Sequence, residues 1–132
     1  MSEKPFGIDI SQHQGKMDWD TVAAHNPKVE FVGIRSGISW GYTDKWFSYN
    51  WAEAKRVAIP RTVYHVLYPD APAKRQVDKI MLLLGGDHGE LPVTLDCELD
   101  RGQHFSKIAA TVFQCAVLLE DKTGKKPIIY SR

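Results

Sequence analysis

The sequence predicts an α/β fold on a parallel sheet, and three observations point that way. Strand-like and helix-like segments alternate along the chain with short connections, which favours parallel strands joined by right-handed crossovers. No Gly-x-Gly-x-x-Gly follows the first strand, which speaks against a dinucleotide-binding, doubly wound sheet. Acids and tyrosines lie toward the C-terminal ends of their strands, the working end of α/β barrels. The barrel is therefore the stronger reading. Its closure takes roughly 200 residues or more, whereas this chain has 132 and stops just after a fifth strand. The expectation is an incomplete TIM-like barrel, the front part of one.

The elements follow in order. Phe6–Ser11 is the first strand, with Ile8 and Ile10 on the packing face and Asp9 on the other. Trp19–His25 reads as a short helix. Phe31–Ser36 is the second strand and Phe47–Val57 the second helix, with Asp44 just ahead of it. Trp51, at helical spacing from Phe47, belongs to the core. Arg61–Leu67 is the third strand. Pro72–Leu84 is a helix stopped by Gly85-Gly86, and Pro92–Glu98 is the fourth strand, its Val93-Thr94-Leu95 run suited to a buried position. Phe105–Lys122 is the last helix, with Ser106 as N-cap, Ile108, Val112, Cys115, Ala116 and Leu119 at helical spacing, and Gly124 at its stop. Pro127–Tyr130 is the fifth strand.

Composition excludes several classes. With 43% hydrophobic and 25% charged residues the chain is globular, with one domain over 1–132. A net charge of +1 implies no attraction to nucleic acid. The longest apolar run, Ile80–Leu84, is far too short to span a membrane. Met1-Ser2-Glu3-Lys4-Pro5 has no apolar signal segment, so a cytoplasmic start is expected. Cys97 and Cys115 read as small buried hydrophobes. Neither paired cysteines nor His-Glu-x-x-His occurs, and no metal or other cofactor is expected. His13 and His65 are read as neutral neighbours of the acids.

Asp96 and Glu98 are the most informative pair. Two positions apart on a strand, they share one face with Cα atoms about 6.5–7 Å apart. Adjacent carboxylates disfavour each other's ionisation. Such a pair suits chemistry that needs one protonated and one ionised acid, as glycosidases do.

Gly7-Ile8-Asp9-Ile10-Ser11, Gln14-Gly15, Asp18-Trp19, Phe31-Val32-Gly33-Ile34-Arg35, Tyr64-His65, Asp96-Cys97-Glu98, Lys126-Pro127 and Ile129-Tyr130 occur in that order. Together they resemble the Chalaropsis-type lysozymes, family 25 of the glycoside hydrolases. The resemblance implies a muramidase acting on peptidoglycan glycan strands, at the β-1,4 bond between N-acetylmuramic acid and N-acetylglucosamine. It also implies a (β/α)5(β)3 barrel, of which this chain holds the first five strand–helix units and lacks the closing strands. In that frame Glu98 is the general acid, Asp96 orients the substrate N-acetyl group or stabilises charge at the sugar carbon, and Asp9 supports the network or positions water. Tyr64 and Tyr130 are expected to meet sugar in the cleft, Trp40 and Tyr42 to contact glycan from a loop, and Arg35 to pair with Asp9 or Asp96. A leaderless lysozyme suits a phage endolysin released to the wall at lysis, or an autolysin secreted by another route. Two alternatives stand beside it: a catalytically silent glycan-binding fragment, and a metal-dependent hydrolase built on the His and Asp residues. Open sheet edges point to self-association.

Overall fold

The computed structural model describes residues 4–131; the leaderless start expected at Met1–Glu3 lies outside them. Ten regular elements follow in the order β1 (Gly7–Ile10), α1 (Trp19–Ala23), β2 (Phe31–Ile38), β3 (Tyr42–Thr43), α2 (Phe47–Arg56), β4 (Arg61–Val66), α3 (Ala73–Leu84), β5 (Thr94–Asp96), α4 (Phe105–Thr123) and β6 (Ile128–Tyr130), with a 3-10 turn at Gln12–Gln14. The fold is α/β. The parallel strands are ordered β1-β2-β4-β5-β6, and β3 folds back antiparallel on the end of β2. Sheet order follows chain order without reversal, so the crevice that marks a doubly wound sheet is missing among the described residues.

One face of the sheet makes the core. Ile10, Val32, Ile34, Val63 and Leu95 are buried in one cluster with Trp19, Phe47, Trp51, Val77, Ile80, Cys115 and Leu119 from the helices. Trp51 stacks on Phe47 with ring centroids 5.4 Å apart, the core position its spacing predicts. Both cysteines are free; burial pushes the Cys97 thiol up to about 11 and the Cys115 thiol up to about 12, as expected of small hydrophobes rather than nucleophiles. Behind the sheet, fully buried Arg61 is gripped by Asp87 at 2.8 Å and Glu90 at 2.9 Å. Its guanidinium lies over the Trp51 ring, 4.3 Å from the centroid.

Helix ends depart from expectation in one place. Ser106 is not the cap of α4: His104 is, its Nδ1 accepting the Ser106 amide at 3.2 Å. An imidazole nitrogen two residues earlier satisfies the orphan donor as well as a hydroxyl does. At the other end Gly124 takes the left-handed conformation, φ 77°, expected of a stop residue. Asp18 caps α1 through the Thr21 amide at 3.2 Å.

Candidate functional site

Residues opposite each other in parallel strands share a face, so register decides what meets above the sheet. Asp9 lies opposite Gly33, Gly33 opposite Thr62, Tyr64 opposite Thr94, and Asp96 opposite Tyr130. The face turned away from the helical core therefore carries Asp9, Thr62, Tyr64, Thr94, Asp96 and Tyr130. These residues, with Glu98, line a cleft of about 440 Å3 whose wall continues through Gly7, Ile8 and Phe31. Gly33, between Asp9 and Thr62, adds no side chain and keeps the floor open. All three acids singled out in the sequence border one cleft.

Local structure explains how Glu98 reaches it. Asp96 is the last residue of β5, and its Oδ1 accepts the Glu98 amide at 3.3 Å, a side-chain turn that bends the chain as the strand ends. Glu98 thus lies beyond the strand rather than on it, yet borders the same cleft. Asp96 and Glu98 are half-buried and Asp9 is exposed. Tyr64 sits among them. Burial pushes its phenol up to about 12, with the charge of Asp9 adding to that and the charge of Arg35 opposing it. It therefore stays a neutral hydroxyl donor at any working pH.

Arg35 does not pair with Asp9 or Asp96. Its Nε donates to Asp44 at 3.0 Å, and both groups are nearly buried. The reason is a bulge: the β2–β4 register shifts between Arg35 and Gly37, and the β2–β3 hairpin folds Asp44 back over the strand end. Asp44 also accepts the Gln12 amide at 2.8 Å and the Trp46 amide at 2.9 Å. One carboxylate so ties the loop after β1 to the end of β2 and the start of α2.

His65 is not a neighbour of the acids either. It lies opposite Leu95, on the core face, where its Nε2 meets Gln76 Oε1 at 3.1 Å. His13 lies exposed in the 3-10 turn. No three His, Cys, Asp or Glu side chains among the described residues gather as metal ligands would.

Trp40 and Tyr42 border a second pocket, of about 610 Å3, and not the acid cleft. Its wall includes Ser39, Tyr68, Asp70, Pro72, Arg75 and Arg101. Reading the sequence missed Thr62 and Thr94, whose hydroxyls lie 2.8 Å apart in the cleft floor, although alternation from Tyr64 and Asp96 places them there. It also missed Arg75 and Arg101, which carry no motif.

The family model described as Glycosyl hydrolases family 25 matches residues 8–132. The chain is 33% identical over 129 residues to YegX, named an uncharacterized protein, of Escherichia coli, covering 95% of this chain and 47% of that one. It is 32% identical over 96 residues to lysozyme M1 of Streptomyces globisporus, covering 70% of this chain and 32% of that one. A solved family 25 glycosyl hydrolase from Bacillus anthracis shares the fold with a TM-score of 0.88 at 23% identity, over 97% of this chain and 60% of that one. The chain spans about half the length of the first of these relatives.

Proposed function

This chain belongs to glycosyl hydrolase family 25, and from that premise we propose that it serves as a peptidoglycan hydrolase, a lysozyme cutting the β-1,4 bond between N-acetylmuramic acid and N-acetylglucosamine. One observation carries the reading: carboxylates from β1 and from the end of β5 border a single cleft with Tyr64 and Tyr130. The likeness to lysozyme M1 supports it. The unreversed strand order supports the companion proposal, that 1–132 forms the front part of a barrel, its described residues supplying five parallel strands joined by four helices.

In this reading Glu98 delivers its proton to the glycosidic oxygen as the bond to the sugar carbon breaks. The substrate's own N-acetyl oxygen closes on that carbon, held by Asp96, which also balances the developing positive charge. Water then adds to the sugar carbon and returns a proton to Glu98. Asp9 positions that water, and the Tyr64 hydroxyl donates to sugar oxygens. Release from the cell at lysis, or secretion, brings the protein to its substrate. No helix of the described residues is long and apolar enough to cross a membrane.

A second reading, a glycan-binding protein without turnover, draws on β6. Tyr130 stands 54% exposed on the outermost strand, leaving that side of the cleft open. Turbidity loss of Gram-positive cell walls separates the two. The native chain is expected to clear walls in the presence of a chelator, and Glu98→Gln to lower the rate about 100- to 10,000-fold. Wall binding without clearing would favour the second reading, and clearing abolished by the chelator would point to a metal-dependent hydrolase.

A further inference from the structure

The hydrolytic reading leaves the second pocket unused. We propose that it receives the carboxylates of the peptide stem carried by muramic acid, on the same glycan strand whose sugars occupy the acid cleft. The choice of ligand rests on the peptidoglycan reading of that cleft.

The pocket is built for a planar anion. The Arg75 guanidinium lies over the Trp40 ring, 3.5 Å from its centroid, and no carboxylate among the described residues pairs with it. Stacking takes up the face of a guanidinium and leaves its in-plane N–H donors facing outward, the fork that matches a carboxylate bidentately. Arg101 is stacked on Tyr68 at 3.8 Å and held by Asp70 at 2.7 Å. Two guanidinium groups against one carboxylate leave the pocket with one uncompensated positive charge. A separate observation points the same way. Pro72, the N-cap of the twelve-residue helix α3, supplies no side-chain acceptor, so the positive end of that helix stands uncapped beside Arg75. A neutral sugar would leave that charge unmatched.

The pocket also adjoins the cleft through shared elements. Arg35 lies opposite Tyr64, a cleft residue, and places its guanidinium over the Tyr42 ring at 5.9 Å. Tyr68 follows the end of β4, and Arg101 comes three residues after Glu98. The strands that line the cleft thus run on into the loops that line this pocket.

The test titrates the Glu98→Gln protein, chosen because its turnover is expected to be slowed, with the N-acetylglucosaminyl-N-acetylmuramic disaccharide, either bearing its tetrapeptide stem or without it. The stem-bearing ligand is expected to bind at least tenfold tighter, to change Trp40 fluorescence where the stem-free one does not, and to lose that advantage in Arg75→Gln and Arg101→Gln. Arg75→Lys keeps the charge without the planar fork and is expected to recover only part of it; it replaces Arg75→Gln as the probe if the latter unfolds. Equal binding of the two ligands, an advantage that survives both arginine substitutions, or inorganic phosphate displacing the stem-bearing ligand at equal concentration would each overturn the proposal. Turnover is read separately with the native chain. Hydrolysis of glycan with no preference for the stem in binding removes this inference alone; stem-dependent binding with no hydrolysis removes the hydrolase reading alone.

Discussion

His65 shows how one buried side chain links the core to the second pocket. It is 1% exposed on the core face, and the Gln76 amide that meets it also accepts the Tyr68 amide at 3.1 Å and donates to the Tyr68 carbonyl at 2.9 Å and to the Ala71 carbonyl at 3.2 Å. Through Gln76 the imidazole steadies the loop that carries Tyr68 and Asp70. Burial lowers its pKa from 6.5 to about 4, the Gln76 bond opposing only part of that. Between those values the unfolded chain binds a proton that the folded chain refuses, so stability falls as pH falls. The contribution is complete above pH 6.5 and is lost as pH drops toward 4, a change of about 3 kcal/mol. Urea unfolding at pH 7 and pH 4.5 should show the drop, and an imidazole signal still titrating near 6.5 in the folded protein would refute it.

At the scale of elements, the β2–β3 hairpin decides where the aromatic loop stands. β2 and β3 approach so closely at Gly37 that a Cβ there would overlap the Tyr42 carbonyl oxygen, and Ser39 holds φ at +52° to close the turn. Gly37→Ala is therefore expected to cost about 1–3 kcal/mol and to displace Trp40 and Tyr42 from the second pocket. Equilibrium unfolding and near-ultraviolet circular dichroism would show both effects; an unchanged midpoint and spectrum would count against the geometry. This hairpin was not legible in the sequence, and the reason is physical. Its turn carries Ser at a positive φ rather than Asn or Gly in a hairpin motif, and the need for Gly37 arises only where two backbones meet. The Arg35–Asp44 pair was hidden for the same reason, since the bulge and hairpin that join them leave no periodic trace. The strands were legible because period-two alternation survives in β1, β4 and β5, and that alternation set Asp9 on the face opposite Ile8 and Ile10, whereas only the family resemblance brought Tyr64 and Asp96 to the same cleft. Glu98 was expected on the strand face beside Asp96, whereas β5 ends at Asp96 and a side-chain turn beyond it brings Glu98 to the cleft border.

Across the whole molecule, apolar surface is concentrated at the end of the sheet. Among the described residues β6 pairs only with β5, and its Ile128, Ile129 and Tyr130 stand 44%, 47% and 54% exposed. The neighbouring helix in the chain, α4, exposes Phe113 at 69% and Val117 at 50%. An unpaired strand edge offers backbone donors and acceptors to any second strand, and covering each large side chain contributes about 1.5–3 kcal/mol. Two copies meeting edge to edge would satisfy both demands, so light scattering should show mass rising with concentration at values on the order of 100 μM. Ile129→Lys places a charge where the second copy would pair and is expected to restore the monomer without altering the far-ultraviolet spectrum. Because Tyr130 belongs both to this edge and to the acid cleft, pairing through β6 would also narrow access for glycan. Glycan affinity per chain should then fall as protein concentration rises in the native protein and stay constant in Ile129→Lys. A native chain that remains monomeric throughout, with concentration-independent affinity, would mean that the exposed edge is tolerated rather than paired.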